Sequence, residues 1–486
     1  MTKELSKYQV RIDQEYMNTM NNIVVEAGPG SGKSFTIKYL LGKTPKFLRT
    51  ILVAFNKSIQ EELASQVPEN IEVRTVHSLS YSILRKNVKR NFKVNNFKTY
   101  IIAKKKLDLK HLKENKKDPY LFTISDIVGL ARFNLCKTKE EIETICDEYN
   151  ISIMNGEVED TMKVMEALEK YNKGDHREFM IDFTDMLWLA YKMVKPEQYP
   201  QYNVLFIDEA QDINPLQMAL IDRCISRTNG RFVAVGDEKQ SIYSFMGANT
   251  KSIRAMKERP RTTVLPLSVT YRCPTKVVDL ANTIFDGLEA FEKNPEGVIR
   301  NGNLNEAKDG DFVICRNNLP LVQAWIQLIA AGKKCHILGK DFGVQLVNVI
   351  YKVQELNIPL KEAKEKMLFE KEEQLKERGF SNPKKSPAYQ SLFEKLTIIE
   401  ILERQFGDFN YLVKKVGEIF NDDENKGVTL CTGHKSKGLE ADRVFFLNRE
   451  LIPSKYAQTE LEIWAERCLK YVIVTRSRKE LIYVNI

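Results

Sequence analysis

Ile23-Val24-Val25-Glu26-Ala27-Gly28-Pro29-Gly30-Ser31-Gly32-Lys33-Ser34 decides how the rest of the chain reads. An apolar run, a glycine-rich turn and Gly32-Lys33-Ser34 opening a helix from Phe35 to Leu41 make a phosphate-binding loop. The strand ends, and the glycines let the backbone curl so that successive N–H groups point at phosphate oxygens. Lys33 is expected to reach the β- and γ-phosphates and Ser34 to hold Mg2+, with the helix N-terminus adding its positive end. Ala27 stands at the first motif position in place of glycine. The bland alternative is a glycine-rich turn that binds nothing.

Outward from this loop, short apolar runs alternate with helical stretches, the pattern of a mostly parallel sheet. Thr50 to Phe55 reads as a second buried strand, after which Asn56-Lys57-Ser58 opens a helix; Val73 to Ser78 reads as a third strand and its exit loop. Residues 81–180 turn helical and basic, without strand-like runs. The strand pattern returns at Tyr202 to Asp212 and at Arg231 to Gly236. A second set of strands is expected at Thr263 to Leu265, Asp311 to Cys315, Lys334 to Leu338, Val428 to Cys431, Arg443 to Leu447 and Tyr471 to Val474. It makes a second α/β domain without a phosphate loop, interrupted by residues 350–425. There Lys361 to Arg378 reads as a solvated helix laced with i,i+4 charge pairs. The expected domains are 1–80 with 181–262, carrying the helical basic insertion 81–180, and 263–349 with 426–486, carrying the short helical insertion 350–425.

At 486 residues the chain is too long for one core. Its 43% hydrophobic and 29% charged residues fit a globular protein, and no apolar run approaches a membrane span. Eight cysteines lie scattered without a CxxC pair, as expected of reduced thiols in a cytoplasmic protein. Five histidines without HxxxH or HExxH spacing argue against zinc. The net charge of +9 is uneven: Arg85 to Lys117 holds thirteen Lys/Arg against Asp108 and Glu114, a local +11. Such a block implies a polyanionic partner, its bland alternative being a solvated surface.

Asp208-Glu209 at the end of an apolar strand is the natural second half of a phosphate-loop site. The first carboxylate can hold Mg2+, and the second can orient and deprotonate an attacking water.

With these residues in view the chain resembles superfamily 1 (1A) DNA helicases of the UvrD/Rep type, as a short phage- or bacterial-like member. Ala27 to Ser34 and Asp208 to Asp212 match the Walker A and B motifs. Gln9 resembles the glutamine that reads adenine. Gly236 to Tyr243 matches the motif whose glutamine, here Gln240, senses the γ-phosphate and whose following aromatics, here Tyr243 and Phe245, touch DNA. In Tyr271-Arg272 the resemblance makes Tyr271 the adenine stack and Arg272 a γ-phosphate ligand. Thr432 to Glu440 matches the motif linking DNA backbone to nucleotide, with Gly438 and Glu440 on the nucleotide side and Thr432 and His434 on the DNA side. Asn56 and His77 are further DNA positions, and Arg476 in Val474-Thr475-Arg476-Ser477 is the second arginine finger. Asp182 to Leu187 resembles the element preceding the Walker B strand. Met246 stands where the family commonly has arginine, Phe245 where tryptophan is common, and Ser477 in place of alanine.

The resemblance implies two RecA-like domains with parallel sheets, ATP and Mg2+ as cofactors, and ATP held where the arginines of the second domain meet the loop of the first. It implies a single-stranded DNA translocase that unwinds duplex, 3′→5′, in replication, repair or recombination. Single strands and single/double-strand junctions are the expected partners, with a protein partner also open and no membrane, in a bacterial cytoplasm or a phage-infected host cell. Lys104, Lys105 and Lys106 in the basic block are expected on DNA. A DNA-stimulated ATPase serving as a nucleotide-switched subunit of a repair or defence complex is the alternative, and the motifs leave an RNA substrate open.

Overall fold

Ile23, Val24 and Val25 are fully buried, as a strand is when both faces of its sheet are covered. The computed structural model, which describes residues 4–486 except 55–56, 111–113, 149–150, 152–155, 175, 243–250, 378–379, 381, 408 and 423–426, builds that sheet from strands far apart in the chain. Two units divide the protein, Met1–Val269 and Thr270–Ile486.

The first unit runs α1 (Lys7–Asn18), β1 (Asn22–Ala27), α2 (Lys33–Lys43), β2 (Thr50–Ala54), α3 (Lys57–Ala64), β3 (Glu72–Thr75) and α4 (Val76–Asn87). The insertion follows as β4 (Phe92–Val94), α5 (Lys98–Lys106), α6 (Glu114–Phe133), α7 (Lys139–Glu148), α8 (Glu157–Lys173) and β5 (Phe179–Ile181). The chain then returns through α9 (Phe183–Met193), β6 (Val204–Ile207), α10 (Pro215–Cys224), β7 (Arg231–Gly236), α11 (Lys251–Lys257) and β8 (Thr262–Leu267). The sheet order is β3-β2-β6-β7-β1-β8, every pair parallel.

Side-chain alternation sorts this sheet into two core layers. Val24, Ile51, Val53, Leu205, Ile207, Phe232 and Ala234 face α4, α9 and α10. Their neighbours Ile23, Val25, Leu52, Val204, Phe206, Val233 and Val235 face α1 and α2.

Two boundaries and the make-up of the insertion depart from the sequence expectation. Thr263 to Leu265 does not start the second sheet: β8 pairs with β1, Thr263 opposite Ile23 and Leu265 opposite Val25. An apolar run carries no mark of the sheet it joins, so only the pairing assigns it. The insertion begins after Asn87 rather than at 81, because α4 continues and buries Ile83 and Leu84 in the sheet core. It is also not purely helical, since β4 and β5 form a parallel ribbon, Phe92 opposite Phe179. Its helices have their own cores, one around Leu121, Ile124, Val164 and Leu168 and another around Ile127, Ile142 and Val158.

The second unit begins with a short ribbon of β9 (Val269–Thr270) and β10 (Glu289–Ala290), between which lies α12 (Thr275–Asn282). Then come β11 (Val298–Asn301), β12 (Phe312–Cys315), α13 (Asn318–Ala330), β13 (Cys335–Ile337), α14 (Lys340–Glu355), α15 (Leu360–Glu377), α16 (Pro387–Phe406) and α17 (Phe409–Ile419). The chain ends with β14 (Val428–Thr432), β15 (Ala441–Leu447), α18 (Glu460–Val474) and β16 (Ser477–Val484). Its parallel sheet has the order β11-β16-β15-β12-β14-β13.

Tyr471 to Val474, expected as a strand, is the last turn of α18. All four residues are buried, so the helix shows no amphipathic period there, and a short apolar run reads alike in helix and strand. The real last strand, β16, mixes Arg478, Lys479 and Glu480 with its apolar residues and gave no such signal. The 350–425 insertion packs into the core of the second unit: Ile350, Ala363, Ile399 and Leu412 share one cluster with Val313, Leu430 and Phe445. Within it α15 carries the expected i,i+4 pair Lys376–Glu372 at 3.1 Å, yet buries Leu360, Ala363 and Leu375. Among the described residues no helix is long and apolar enough to cross a membrane.

Candidate active site

Because β6, β7 and β1 are consecutive in a parallel sheet, their carboxyl ends open side by side, where such sheets bind ligands. The residues leaving those ends are Asp208, Asp237 and the 28–32 turn. The turn is anchored at its start, where Gly28 N–H donates to the Leu267 carbonyl at 3.1 Å. At its end Gly32 caps α2 in the left-handed region, φ 84°, so Lys33 and Ser34 enter the helix with their N–H groups unspent by earlier carbonyls. Ser31 Oγ is buried without a hydrogen-bond partner among the described residues, an acceptor and donor left unused in the turn. Ala27 is buried at the strand end, and Ser34 is exposed in the first turn of α2.

Gln9 lies against this turn. Ser6 caps α1, Gln9 Oε1 accepts from Ser6 N–H at 2.9 Å, and Gln9 Nε2 donates to Thr36 Oγ1 at 3.1 Å. Thr36 in turn donates to the Gly32 carbonyl at 3.0 Å, so the glutamine is fixed to the loop-to-helix junction.

Across the cradle Lys33 Nζ meets Glu209 Oε1 at 3.2 Å. Glu209 has φ 49° and ψ 48°, a left-handed conformation that costs a non-glycine residue energy and clusters at functional sites. Gln211 holds it there: Nε2 donates to Glu209 Oε2 at 2.5 Å while Oε1 accepts from Asp237 N–H at 2.9 Å. Gly236 is required beside this bridge, since a Cβ would stand 2.5 Å from Gln211 Oε1. Gln240 Nε2 donates to Asp237 Oδ2 at 2.7 Å, which fixes the proposed γ-phosphate sensor.

Burial, and then the Glu209 carboxylate beside it, push the Asp208 carboxyl up to about 7, with Lys33 opposing. Burial raises Asp237 as well. Lys33 acts on Asp208, Glu209 and Asp237 together, with Lys239 adding to the pull on Asp237, a desolvated arrangement that a divalent cation would stabilise. Among the described residues no group of three or more His, Cys, Asp or Glu could hold a metal. Mg2+ takes one or two protein ligands plus phosphate oxygens and water, and the carboxylate of Asp208 and the hydroxyl of Ser34 are oxygen donors of the kind it takes. The orphaned Ser31 hydroxyl and the glycine-shaped turn fit a nucleotide phosphate.

The second unit gathers a second set. Arg272 Nε donates to Glu440, whose other oxygen accepts from Arg478 at 3.5 Å. Tyr271 is exposed and tilts against Phe291, ring centroids 4.9 Å apart. Gly438, φ 85°, ends the turn before Glu440. Arg476 is buried within this unit: its guanidinium donates to the carbonyls of Val472 (2.8 Å) and Leu439 (3.2 Å) and to Thr475 Oγ1 (3.2 Å). Thr432 ends β14, its Oγ1 accepting from Lys435 N–H at 3.4 Å. The His434 imidazole is pushed down to about 4, by burial first and then by the Arg316 charge, and so is neutral at pH 7.

His77 opens α4 just after β3, its ring edge-on to Phe183 at 6.5 Å. Lys104, Lys105 and Lys106 are exposed in the last turn of α5. Asn56, Tyr243 and Phe245 lie outside the described residues, as does Met246.

Sequence reading assigned no role to Gln211, Asp237 or Phe183. Gln211 and Asp237 lie inside the quoted motifs, but only the fold shows that one side chain bridges them. Phe183 is 56% exposed beside His77, and its signal was an apolar residue directly after the helix cap Asp182.

Residues 10–261 match the UvrD/REP helicase N-terminal domain, and residues 348–485 the UvrD-like helicase C-terminal domain. Similar proteins include F-box DNA helicase 1 of Gallus gallus, 25% identical over 71% of this chain and 35% of that protein. ATP-dependent DNA helicase PcrA of Bacillus subtilis is 27% identical over 62% of this chain and 44% of that protein. F-box DNA helicase protein 1 of Schizosaccharomyces pombe is 25% identical over 99% and 57%. The chain thus spans between 35% and 57% of the length of these curated relatives.

Proposed function

The chain belongs to the UvrD/REP helicase family, and from that premise we propose that it is an ATP-dependent DNA helicase that translocates on single-stranded DNA. The observation that carries the proposal is the contact of Lys33 with Glu209, held in a strained backbone beside the buried Asp208. A phosphate-binding lysine, a metal-binding carboxylate and a water-orienting carboxylate converge at one sheet edge, as phosphoryl transfer to water requires.

In this reading the 28–32 turn and Lys33 bind the triphosphate, and Asp208 and Ser34 hold Mg2+, which would neutralise charge building on the γ-phosphoryl group. Glu209 takes the proton of the attacking water, with Gln211 keeping its carboxylate aimed. Gln240 contacts the γ-phosphoryl, and Arg272 and Arg476 supply further positive charge. Gln9 and Tyr271 recognise adenine, and Gly438 and Glu440 complete the nucleotide contacts. Asn56, His77, Tyr243, Phe245, Thr432 and His434 line the DNA strand, with Phe183 as an added stacking face. Lys104, Lys105 and Lys106 add salt-dependent contacts to phosphates. Polarity is 3′→5′ and the substrate a tailed duplex or junction in replication, repair or recombination. The eight cysteines lie scattered along the chain without a CxxC pair, which supports a reducing compartment such as a bacterial or phage-infected cytoplasm.

One observation favours the slower alternative, a nucleotide-switched DNA-binding subunit. Arg476 donates to the Val472 and Leu439 carbonyls and to Thr475 Oγ1, so part of its hydrogen-bonding capacity is spent within its own unit. ATP hydrolysis measured with and without single-stranded DNA or RNA, then strand displacement on 3′- and 5′-tailed duplexes, separates the readings. Strong DNA stimulation with displacement from the 3′-tailed substrate supports the helicase; slow hydrolysis without displacement supports the switch; hydrolysis indifferent to nucleic acid rejects both.

A further inference from the structure

The basic insertion carries three aromatic side chains that the nucleotide and DNA motifs leave unused. Tyr100 of α5 and Phe122 of α6 are stacked, centroids 4.8 Å apart and planes 27° from parallel, with Phe122 48% exposed. Phe97 lies three residues before Tyr100, so it faces the same side of the helix, and is 60% exposed. An exposed phenylalanine alone means little. Here its neighbours forbid it any other place.

Lys98, the next residue, is fully buried, its Nζ 2.7 Å from Asp185 Oδ2 and 2.8 Å from Asn172 Oδ1. Thr99 Oγ1 donates to Asp182 Oδ2 at 3.0 Å. On the other side Phe97 N–H donates to Asn95 Oδ1 at 3.0 Å. The start of α5 is therefore bolted to α9, a charged residue lies inside, and the apolar ring is turned out. Tyr100 is fixed as well: its hydroxyl donates to Asp118 at 2.5 Å while its ring backs Phe122. Lys104, one turn on, lies over the same ring at 5.7 Å. Lys105 and Lys106 are exposed beside it, and Lys93 and Lys110 expose most of their side chains.

We propose that Phe97, Tyr100 and Phe122 form a platform on which unpaired bases of a polynucleotide strand stack, separate from the motif residues and served by the flanking lysines. The occupant follows from the surroundings. A protein surface covering three aromatics would have to accept the exposed Lys93, Lys104, Lys105, Lys106 and Lys110, whereas a nucleic acid strand brings both the matching charge and π-faces. The proposal rests on the nucleic-acid reading above and extends it to a surface outside the nucleotide-binding core.

The test compares two probes of equal length, a (dT)16 strand and its abasic counterpart, with the parent protein and with the double variant Phe97→Ala/Phe122→Ala. The parent should bind (dT)16 more tightly than the abasic strand. The double variant should lose at least about fivefold in (dT)16 affinity while keeping its affinity for the abasic strand and its salt dependence. Phe97→Tyr/Phe122→Tyr should restore (dT)16 binding, which separates stacking from any loosening of α5. A double variant that binds (dT)16 as the parent does, or that loses the abasic strand and a blunt duplex equally, overturns the platform. A parent that binds neither strand refutes instead the nucleic-acid reading on which the platform rests.

Discussion

Replacing Asp185 with asparagine should loosen the first unit far more than a surface charge change. The Asp185 carboxylate is fully buried between Lys98 (2.7 Å) and Arg132 (3.3 Å), themselves 0% and 2% exposed at the side chain. Removing one partner of a buried pair costs about 3–5 kcal/mol, because the other charge stays buried without compensation. Asparagine keeps an acceptor near Lys98, and Asn172 Oδ1 remains 2.8 Å from Nζ, so the cost should fall near the lower figure, about 3 kcal/mol. Desolvation already lowers the Lys98 pKa against the pull of Asp185, so losing that carboxylate pushes the lysine towards its neutral form. The natural probe is Trp188, buried on α9 with Arg132 over its ring at 5.6 Å. With Trp325 and Trp464 changed to phenylalanine, urea unfolding followed by fluorescence reports this unit alone. A double-mutant cycle with Lys98→Met should give a coupling of about 1–3 kcal/mol. A midpoint within about 0.5 kcal/mol of the parent, or no coupling, would refute the buried ion pair as the anchor of the insertion.

Three other outcomes are expected. Replacing Lys104, Lys105 and Lys106 with glutamine should weaken single-strand binding and flatten the log-affinity against log-salt line by about 0.7 per lost phosphate contact, about 2 for all three; an unchanged slope in a fluorescence titration would make the cluster solvated surface. Arg272→Ala and Arg476→Ala should each cut DNA-stimulated turnover by about a hundredfold or more with little change in nucleotide-free DNA affinity, and parent-level turnover in both would reject their role at the γ-phosphoryl. His434 sits below the usual histidine range, so the unfolded chain takes up its proton first as pH falls from about 6.5 towards 4. Stability of the second unit should therefore decline across that window, and His434→Gln should flatten the decline of the urea midpoint.

The nucleotide half of the site was legible because its residues are consecutive. Gly28 to Ser34 and Asp208-Glu209 each encode a strand exit together with its chemistry, and the parallel sheet brings the exits together. What escaped depends on pairing and packing at a distance. The run at 262–267 is a strand on its own evidence, but its membership in the first sheet lies in hydrogen bonds to β1. Tyr471 to Val474 is buried on every side, so neither period shows; the helix signal was Thr459 with Glu462, well upstream, where both halves of a capping box are made. In the basic block composition counts Lys98 with Lys104 to Lys106, although the first is an internal ion-pair partner and the others face solvent. Asp185 explains the difference, and it lies 87 residues further along the chain.

ATP turnover of the Glu209→Gln protein in saturating single-stranded DNA tests the central assignment most directly. The substituted amide would keep the shape of the site and a contact for Lys33 while losing the base, so nucleotide binding should persist and turnover should fall by about two to four orders of magnitude. Hydrolysis at the parent rate, with binding intact, would contradict Glu209 as the group that activates water.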